Sequence, residues 1–216
     1  MAIKDSRREY RFATMRRSSM QDNPIDQFRM WLDAALAADL PDPTAMCLAT
    51  VDNSGRPSQR MVLLKDFGDD GFVFFTNLTS RKATEIISNN SVCLHFSWLS
   101  LDRQVIIRGK AELLSREKVD SYFQGRPRTS QIGAWASRQS KVITNRAVLE
   151  ERYSRIEKQF AQFEIPTPEF WGGYRVSSER VEFWQGGEQR LHDRFCYTPD
   201  RVIEKNPKWK IERLAP

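Results

Sequence analysis

Residues 91–114 read SVCLHFSWLSLDRQVIIRGKAELL, and this stretch decides the fold class. It holds two apolar runs, 91–98 and 103–114, which are rich in β-branched and aromatic residues. The short link between them, residues 99–102, ends in a polar residue. The pattern predicts two strands joined by a short turn. Because antiparallel strands can be joined by a tight turn whereas parallel strands need a long crossover, it indicates an antiparallel sheet or barrel.

Similar segments lie on both sides of this pair. Turn signals at 53–55 and 68–70 separate the upstream ones. Strands are predicted at 45–51, 60–67, 71–76, 173–178, 180–185, 193–197 and 208–214. Helical periodicity interrupts them near 80–90 and over 115–165. The whole predicts one α+β domain, with a mainly β core formed by a barrel and with helices packed around it.

The first predicted helix follows Asp22-Asn23-Pro24, which is a capping signal with proline in the first turn. Its apolar positions, spaced for one helical face, are Phe28, Trp31, Leu32, Ala35 and Leu36. Residues 1–22 before it are polar, basic and without apolar periodicity. We therefore expect a mobile N-terminal arm over 1–22 and a single domain over 23–216.

The net positive charge favours anionic partners but does not identify a particular one. The chain has 34 Lys plus Arg against 28 Asp plus Glu, a net charge of +6, and the basic residues are spread along it. A nucleic-acid-binding protein usually concentrates such charge in one stripe or tail. The N-terminus has no apolar signal region, and no run approaches the length of a membrane span. Three cysteines without CxxC spacing indicate buried thiols in a reducing compartment, so we expect a cytoplasmic protein.

Missing motifs remove several classes of enzyme. The chain has two histidines, so a histidine-based metal cluster is nearly excluded, and no metal site is expected. The GxSxG elbow, the P-loop and the GxGxxG fingerprint are all absent. Hydrolase and kinase interpretations therefore lose most of their support.

Two segments carry candidate chemistry. Ser80-Arg81-Lys82 opens a predicted helix, where free N–H groups, a hydroxyl and two cations suit a phosphate; a plain helix cap with solvated cations is the alternative. Arg60 and Lys65 flank an apolar strand, and their odd spacing predicts opposite faces.

The second segment is Trp184–Arg194, WQGGEQRLHDR, around a predicted hairpin turn. Arg190, His192 and Arg194 alternate, which predicts one shared face of a strand-like stretch. Three cationic or potentially cationic groups on one face repel one another unless an anion or an electron-rich ring lies among them. The alternative is a solvated hairpin with surface cations.

Seven segments in order resemble the pyridoxine (pyridoxamine) 5′-phosphate oxidase family. They are RMVLLKDF, FFTNLTSRKATEI, RQVIIRGKAELLS, YFQGRPRTSQIGAWASRQS, FWGGYRV, EFWQGGEQRLHDRF and WKIERLAP. The resemblance runs from about residue 7 to the end of the chain, and its RLHDR and RPRxSQIGAW strings are long and specific.

The resemblance implies a homodimeric flavoprotein with an FMN-binding split β-barrel and FMN in a cleft between the two chains. It implies oxidation of pyridoxine 5′-phosphate or pyridoxamine 5′-phosphate by O2 to pyridoxal 5′-phosphate, with release of H2O2, and hydride transfer from substrate C4′ to flavin N5. Neither nucleic acid nor membrane is an expected partner.

Motif by motif, the resemblance also implies site residues. The FMN contacts would be Arg60, Met61, Val62, Leu63, Leu64, Lys65, Phe75, Thr76, Ser80, Arg81, Lys82, Gln104, Gln139, Ser140, Trp184 and Arg194. The substrate contacts would be Arg7, Tyr10, Asp42, Lys65, Tyr122, Arg126, Ser130, Arg190 and His192, of which Arg190 and His192 would be catalytic.

Two alternatives remain open from sequence. Another split-barrel flavin reductase or oxidase would keep the flavin contacts without needing the substrate set together. A basic nucleic-acid-binding module without catalysis would need neither set.

Overall fold

The computed structural model describes residues 9, 10, 14–200 and 208–216. Its first long helix, α1 (Pro24–Ala37), begins where the capping signal predicts, because the Asn23 side chain accepts a hydrogen bond from the backbone N–H of Ile25 at 2.8 Å. The apolar face of α1 enters the core. Phe28 is fully buried and lies edge-on to Phe67 and Phe72, each with ring centroids 5.0 Å apart.

A sheet of nine antiparallel strands forms the body of the described chain. Its central path runs β2-β1-β5-β6-β7-β4-β3, and β8 and β9 extend it from the second half of β7. The strands are β1 (Ala45–Val51), β2 (Pro57–Leu63), β3 (Asp66–Gly68), β4 (Gly71–Asn77), β5 (Ser91–Trp98), β6 (Arg103–Leu113), β7 (Trp171–Gln185), β8 (Asp193–Pro199) and β9 (Trp209–Leu214).

Four further helices pack around this sheet: α2 (Arg81–Ser88), α3 (Arg116–Gln124), α4 (Arg128–Ala136) and α5 (Arg146–Gln159). Alternate residues of the strands face a main core that also takes up α1. A smaller cluster, which includes Phe123, Ile132 and Ile156, joins α3, α4 and α5. The α+β fold with a mainly β core is therefore confirmed.

Three predicted strands have the wrong limits. The strand predicted over 60–67 is two strands, β2 and β3, and Lys65 lies in the break between them, where its N–H donates to the carbonyl of Val73 at 2.9 Å. Arg60 and Lys65 thus do not occupy opposite faces of one strand. Conversely, the strands predicted at 173–178 and 180–185 are one strand, β7, whose pairing with β6 shifts register between Arg108 and Gly109. A bulge of this kind bends a strand without ending it.

Residues 14–22 pack against the domain. Met15 and Met20 are buried in the main core, and the backbone N–H of Met15 donates to the Asp193 carboxylate at 2.7 Å. The packing therefore continues across residue 22, and the division of the chain at that residue stays a prediction. Cys196 is buried, whereas Cys47 and Cys93 are only half-buried, contrary to our expectation. No helix in the part of the chain that the structure describes is long and apolar enough to cross a membrane.

Candidate functional site

The predicted site residues fall into two groups at different places on the sheet. The first group surrounds a cavity of about 360 Å³ between β2, β4, α3 and α4, which we call the basic cleft. The basic cleft is lined by Met61, Val62, Leu63, Lys65, Phe75, Thr76, Lys82, Tyr122, Arg126, Pro127, Ser130, Gln139 and Trp171. Predicted FMN and substrate-phosphate residues thus share one cavity. Leu64, in contrast, is buried in the main core.

Lys82 is a buried cation at one end of the basic cleft. Its Nζ lies 2.7 Å from Gln139 Oε1 and 3.2 Å from Thr76 Oγ1, and both of these oxygens are neutral. Burial, together with the nearby charge of Arg60, lowers the pKa of Lys82 to about 8, and Glu85 opposes that shift. Because a buried charge is costly unless it is paired, this end of the cleft is suited to an anion.

The first turn of α2 forms the rim beside Lys82. The buried Ser80 precedes the helix, and its side chain does not cap the helix N-terminus. The backbone N–H of Arg81 donates instead to Ser140 Oγ at 3.2 Å. Ser140 adopts a φ of 68°, which turns the chain there. The segment Gln139–Ser140 is thus held against the start of α2, as the predicted phosphate site requires.

Arg126 is a half-buried cation that also lines the basic cleft. Its guanidinium stacks over the ring of Trp171, with Cζ 4.4 Å from the ring centroid. Nη1 of Arg126 is buried and has no hydrogen-bond partner among the described residues. Lys65 and Ser130 line the same cavity. Because a buried N–H donor without a partner is rare, the part of the cleft around Arg126 is also suited to a ligand that accepts a hydrogen bond.

Tyr122 lines the basic cleft, as Arg126 and Phe75 do. Burial raises the pKa of the Tyr122 phenol and the charge of Arg126 opposes that shift, so the phenol is a neutral donor. The Tyr122 ring stacks flat on Phe75 at a centroid distance of 3.7 Å. Tyr122 lies in the last turn of α3, which ends at Gln124, and Arg126 lies just beyond it. The two side chains meet across the helix end.

The second group surrounds the turn between β7 and β8, and we call residues 187–192 with Tyr10 and Trp184 the arginine–histidine turn. The Tyr10 ring lies edge-on to His192 at 5.0 Å and to Trp184 at 5.8 Å. The guanidinium of Arg190 lies 5.8 Å from the Tyr10 ring centroid. Tyr10, which was predicted from a separate segment, therefore meets Trp184, Arg190 and His192.

The alternation predicted for Arg190, His192 and Arg194 is wrong, because the three residues do not lie on one strand. Arg190 ends a 3₁₀ turn (Glu188–Arg190), whereas β8 begins only at Asp193. Gln189 and Arg190 have φ values of 53° and 65°, a left-handed conformation that is unfavourable for residues other than glycine. The turn therefore carries backbone strain next to the predicted catalytic side chains.

His192 is held in one tautomer by the backbone. Its Nδ1 lies 3.1 Å from the N–H of Gly187 and accepts a hydrogen bond from it, so the neutral ring carries its proton on Nε2. Burial and the charge of Arg190 lower the pKa of His192. Asp193 does not offset that charge, since its carboxylate accepts from Met15 N and pairs with Arg213.

Gln104 and Arg194 adjoin the turn through the sheet. Gln104 pairs in register with Trp184, and its side chain lies 3.1 Å from His95 Nε2. Arg194 also pairs in register with Trp184 and forms a 2.7 Å ion pair with Glu182. Both predicted FMN contacts thus belong to the turn end of the sheet.

The two groups occupy opposite ends of β7. Thr76 in the basic cleft pairs with Gly172, whereas Gln104 pairs with Trp184. Residues 172 and 184 are separated by roughly 40 Å of strand at about 3.3 Å per residue. Among the described residues, none of the arginine–histidine turn lines the basic cleft. One chain therefore brings the predicted site residues together in two separate groups.

Two predicted substrate residues belong neither to the basic cleft nor to the arginine–histidine turn of a single chain. Asp42 lies in an exposed turn before β1, with a φ of 46°, and its carbonyl accepts from Ala45 N. Arg7 lies outside the described residues. Conversely, sequence reasoning missed Trp171, which stacks on Arg126, and Glu85, which contacts both Arg60 and Arg81. The spacing of Arg81 and Glu85 at i and i+4 was the available signal for the latter.

A curled antiparallel sheet with this strand order and with helices around it defines a split β-barrel. A crystal structure of PhzG from Burkholderia lata 383, in complex with tetrahydrophenazine-1-carboxylic acid, superposes with a TM-score of 0.85 at 29% identity, covering 92% of this chain and 95% of that one. A pyridoxamine 5′-phosphate oxidase-related, FMN-binding protein from Nostoc punctiforme PCC 73102 shares the fold with a TM-score of 0.69 at 16% identity, covering 91% and 100%.

Sequence comparisons narrow this class. Residues 32–160 match the family model described as pyridoxamine 5′-phosphate oxidase, and residues 171–216 match that of the pyridoxine 5′-phosphate oxidase C-terminal dimerisation region. A pyridoxine/pyridoxamine 5′-phosphate oxidase of Shewanella sp. (strain W3-18-1) is 53% identical over 214 residues, with 99% of both chains covered. One from Yersinia pestis bv. Antiqua (strain Angola) is also 53% identical, covering 99% of this chain and 96% of that one. The chain belongs to the pyridoxamine 5′-phosphate oxidase family.

Proposed function

We propose that this protein is an FMN-dependent oxidase that converts pyridoxine 5′-phosphate or pyridoxamine 5′-phosphate to pyridoxal 5′-phosphate with O2, serving vitamin B6 synthesis and salvage. H2O2 is released, together with NH3 from the amine. The observation that carries the proposal is the basic cleft, in which one cavity is lined by the buried Lys82 and by Arg126, whose Nη1 is buried without a hydrogen-bond partner among the described residues. A phosphorylated cofactor and a phosphorylated substrate need two such anion sites.

The residues present fit the FMN phosphate. Lys82 is a buried ammonium with neutral hydrogen-bond partners, and Arg60, Arg81 and Ser140 lie around it. Charge-assisted hydrogen bonds to a phosphate would supply the missing countercharge. Met61–Leu63, Phe75 and Thr76 would line the rest of the cofactor, and Gln104, Trp184 and Arg194 would reach it from a second chain.

The substrate phosphate fits the part of the cleft around Arg126. Arg126 has a buried N–H without a partner, and Lys65, Tyr122 and Ser130 are beside it. Two cations, a neutral phenol and a hydroxyl provide donors from several directions. Stacking on Trp171 keeps the Arg126 guanidinium in place before the substrate arrives.

FMN, held by these residues, would supply the redox chemistry, namely hydride acceptance at N5 from substrate C4′ and reoxidation by O2. Arg190 would orient the substrate hydroxyl or amine and stabilise negative charge as it develops. His192, neutral with its proton on Nε2, would donate a hydrogen bond to the substrate ring or its reacting substituent. The Gly187 N–H keeps His192 Nδ1 from acting as the base.

The protein forms a homodimer through its C-terminal dimerisation region, residues 171–216. We infer that each active site joins the basic cleft of one chain to the arginine–histidine turn of its partner, with FMN between them. The separation of the halves along β7 supports this arrangement, as do the exposed apolar side chains Met61 and Leu63 beside the cleft, which are 63% and 42% exposed. Arg7 and Asp42 would complete the substrate site from that partner. The cytoplasm, with its reducing conditions, is the proposed location.

An anaerobic titration tests the function. Pyridoxine 5′-phosphate added without O2 should bleach the visible absorption of the FMN-loaded protein, and readmitted O2 should restore it with release of H2O2. Unphosphorylated pyridoxine is the matched control and should bleach far more slowly at the same concentration. Flavin-loaded protein that stays yellow with the phosphorylated substrate would refute the assignment. A colourless protein with steeply salt-dependent affinity for nucleic acid would support the non-catalytic alternative.

A further inference from the structure

Glu85 is a buried carboxylate on α2 to which the site described above gives no role. It is 5% exposed, and four donors converge on it from three elements. Its Oε1 accepts from Arg81 Nε at 2.7 Å. Its Oε2 accepts from Thr50 Oγ1 at 2.5 Å, Ser58 Oγ at 2.7 Å and Arg60 Nη2 at 3.2 Å.

The carboxylate of Glu85 is ionised at all ordinary pH values. Burial by itself would raise its pKa, but the hydrogen bonds from Thr50, Ser58 and Arg81 outweigh burial and lower the pKa to about 2. A permanent negative charge therefore lies among Arg60, Arg81 and Lys82, which are the cations proposed to bind the cofactor phosphate.

On charge alone, Glu85 opposes the binding of an anion at this place. Its contacts with Arg60 and Arg81 indicate that it instead favours anion binding, because it orients these two cations. Arg60 comes from β2 and Arg81 from α2, and their guanidinium groups would repel each other and Lys82 without a carboxylate between them. The single bond to Glu85 engages Nε of Arg81 and leaves the N–H groups of its two terminal nitrogens outside that bond.

We propose that Glu85 is a positioning residue that determines the preference of this protein for FMN over riboflavin, because it orients Arg60 and Arg81 for the cofactor phosphate. The inference rests on the proposed FMN site. Glu85 does not line the basic cleft, which is proposed to hold the flavin ring system and the substrate. Its effect should therefore appear only with a ligand that carries the phosphate.

Two substitutions separate orientation from charge. Glu85→Asp keeps the charge but shortens the side chain by one methylene, so the carboxylate can no longer reach both arginines. Glu85→Gln keeps the length but removes the charge, and its NH2 group presents donors where arginine and hydroxyl donors now converge. If orientation dominates, both weaken FMN binding. If charge dominates, Glu85→Gln strengthens it and Glu85→Asp changes little.

The experiment titrates FMN and riboflavin separately into flavin-stripped protein and follows the quenching of flavin fluorescence. We expect the Kd for FMN to rise about 10- to 100-fold in Glu85→Gln and several-fold in Glu85→Asp, as for lost hydrogen bonds to charged groups. The Kd for riboflavin should change less than about twofold in either variant. Glu150→Gln is the control, because it also breaks an i,i+4 pair with an arginine, on the distant α5, and should change neither Kd.

Three results would overturn the inference. Tighter FMN binding in Glu85→Gln would mean that the carboxylate acts mainly by repulsion. Equal losses for FMN and riboflavin would mean that it only supports the fold, and thermal unfolding of the flavin-free variants would register that loss directly. A wild-type protein that binds FMN and riboflavin equally well would refute the phosphate site itself, and with it both the inference and this part of the proposed function.

Discussion

The basic cleft and the arginine–histidine turn, though proposed to serve one reaction, are built in different ways. The cleft takes its side chains from β2, β4, α3, α4 and neighbouring segments, and buried hydrogen bonds such as Lys82 to Gln139 fix them. The turn takes Arg190 and His192 from one short exposed segment with left-handed backbone at two positions. In the proposed arrangement, the phosphate-binding half is formed within one chain, whereas the reacting half is exposed on one chain and would be covered by the second.

The largest effect should come from the turn. Arg190→Ala removes the group proposed to stabilise developing charge, so kcat should fall about 10²- to 10³-fold. FMN binding should remain within a fewfold of wild type, because the flavin phosphate is assigned to the cleft. Steady-state kinetics normalised to bound flavin measure both. Loss of flavin with normal turnover per remaining flavin would reverse the assignment of the two halves.

Mixing subunits tests whether the halves belong to different chains. Arg126→Ala damages the cleft and Arg190→Ala damages the turn, and each homodimer should be nearly inactive. Random reassortment by co-expression should give about a quarter of wild-type activity, because half of the dimers are mixed and each mixed dimer has one intact site. Two variants of the same half, such as Arg126→Ala with Lys65→Ala, are the control and should restore nothing. The same absence of recovery in the first mixture would place both halves in one chain.

The cleft alone should respond to pH through Lys82. Its pKa of about 8 in the flavin-free protein lies below that of an ordinary lysine, so a proton must be taken up for FMN to bind above that pH. FMN affinity should fall by up to about tenfold per pH unit above pH 8. Flavin-fluorescence titrations between about pH 7 and pH 9.5 measure it, with Lys82→Gln expected to give weaker and flatter binding.

The same shift has an opposite consequence for stability. Because the folded pKa of Lys82 is depressed, the unfolded chain binds more protons between about pH 8 and the ordinary lysine pKa near 10.4. The contribution of Lys82 to the free energy of unfolding of flavin-free protein should therefore rise with pH in that window. A difference between wild type and Lys82→Gln that does not change with pH there would contradict the shift.

The smallest effect should come from the stack of Phe75 on Tyr122. Phe75→Leu removes an aromatic contact worth about 0.5–1.5 kcal/mol, so the KM for pyridoxine 5′-phosphate should rise about 2- to 10-fold with kcat little changed. Phe75→Tyr keeps the stack and should behave as wild type. A change in kcat without a change in KM would show that Phe75 acts on the reacting atoms rather than on the phosphate end.

Local patterns predicted most of the fold. The strands at 45–51 and 91–98 match the structure to the residue, because alternation and turn residues are encoded within a few positions. The failures are nonlocal. The bulge opposite Arg108 and Gly109 allows β7 to continue where the sequence indicated a break, and β4 supplies the carbonyl that holds Lys65 between two strands.

The same contrast between local patterns and nonlocal contacts applies to the site residues. Charge and spacing alone selected Arg60, Lys65, 80–82 and 184–194, while the other site residues came from the resemblance. Neither source indicated that Glu85 is buried, because Arg81 and Glu85 resemble an ordinary exposed helix pair until β1 and β2 cover the carboxylate. Nor did they indicate that Gly187, rather than a charged neighbour, fixes the tautomer of His192.

The uninterrupted course of β7 has a mechanical consequence for the dimer. In the arrangement proposed here, each β7 begins beside one active site, at Gly172, and ends beside the other, at Trp184. The two β7 strands of the dimer would therefore both run between the two catalytic centres. When FMN or substrate enters one centre, a displacement there would be transmitted along the hydrogen-bonded backbone of β7 to the other centre. The bulge near Glu179 is therefore the place where the two centres can be uncoupled.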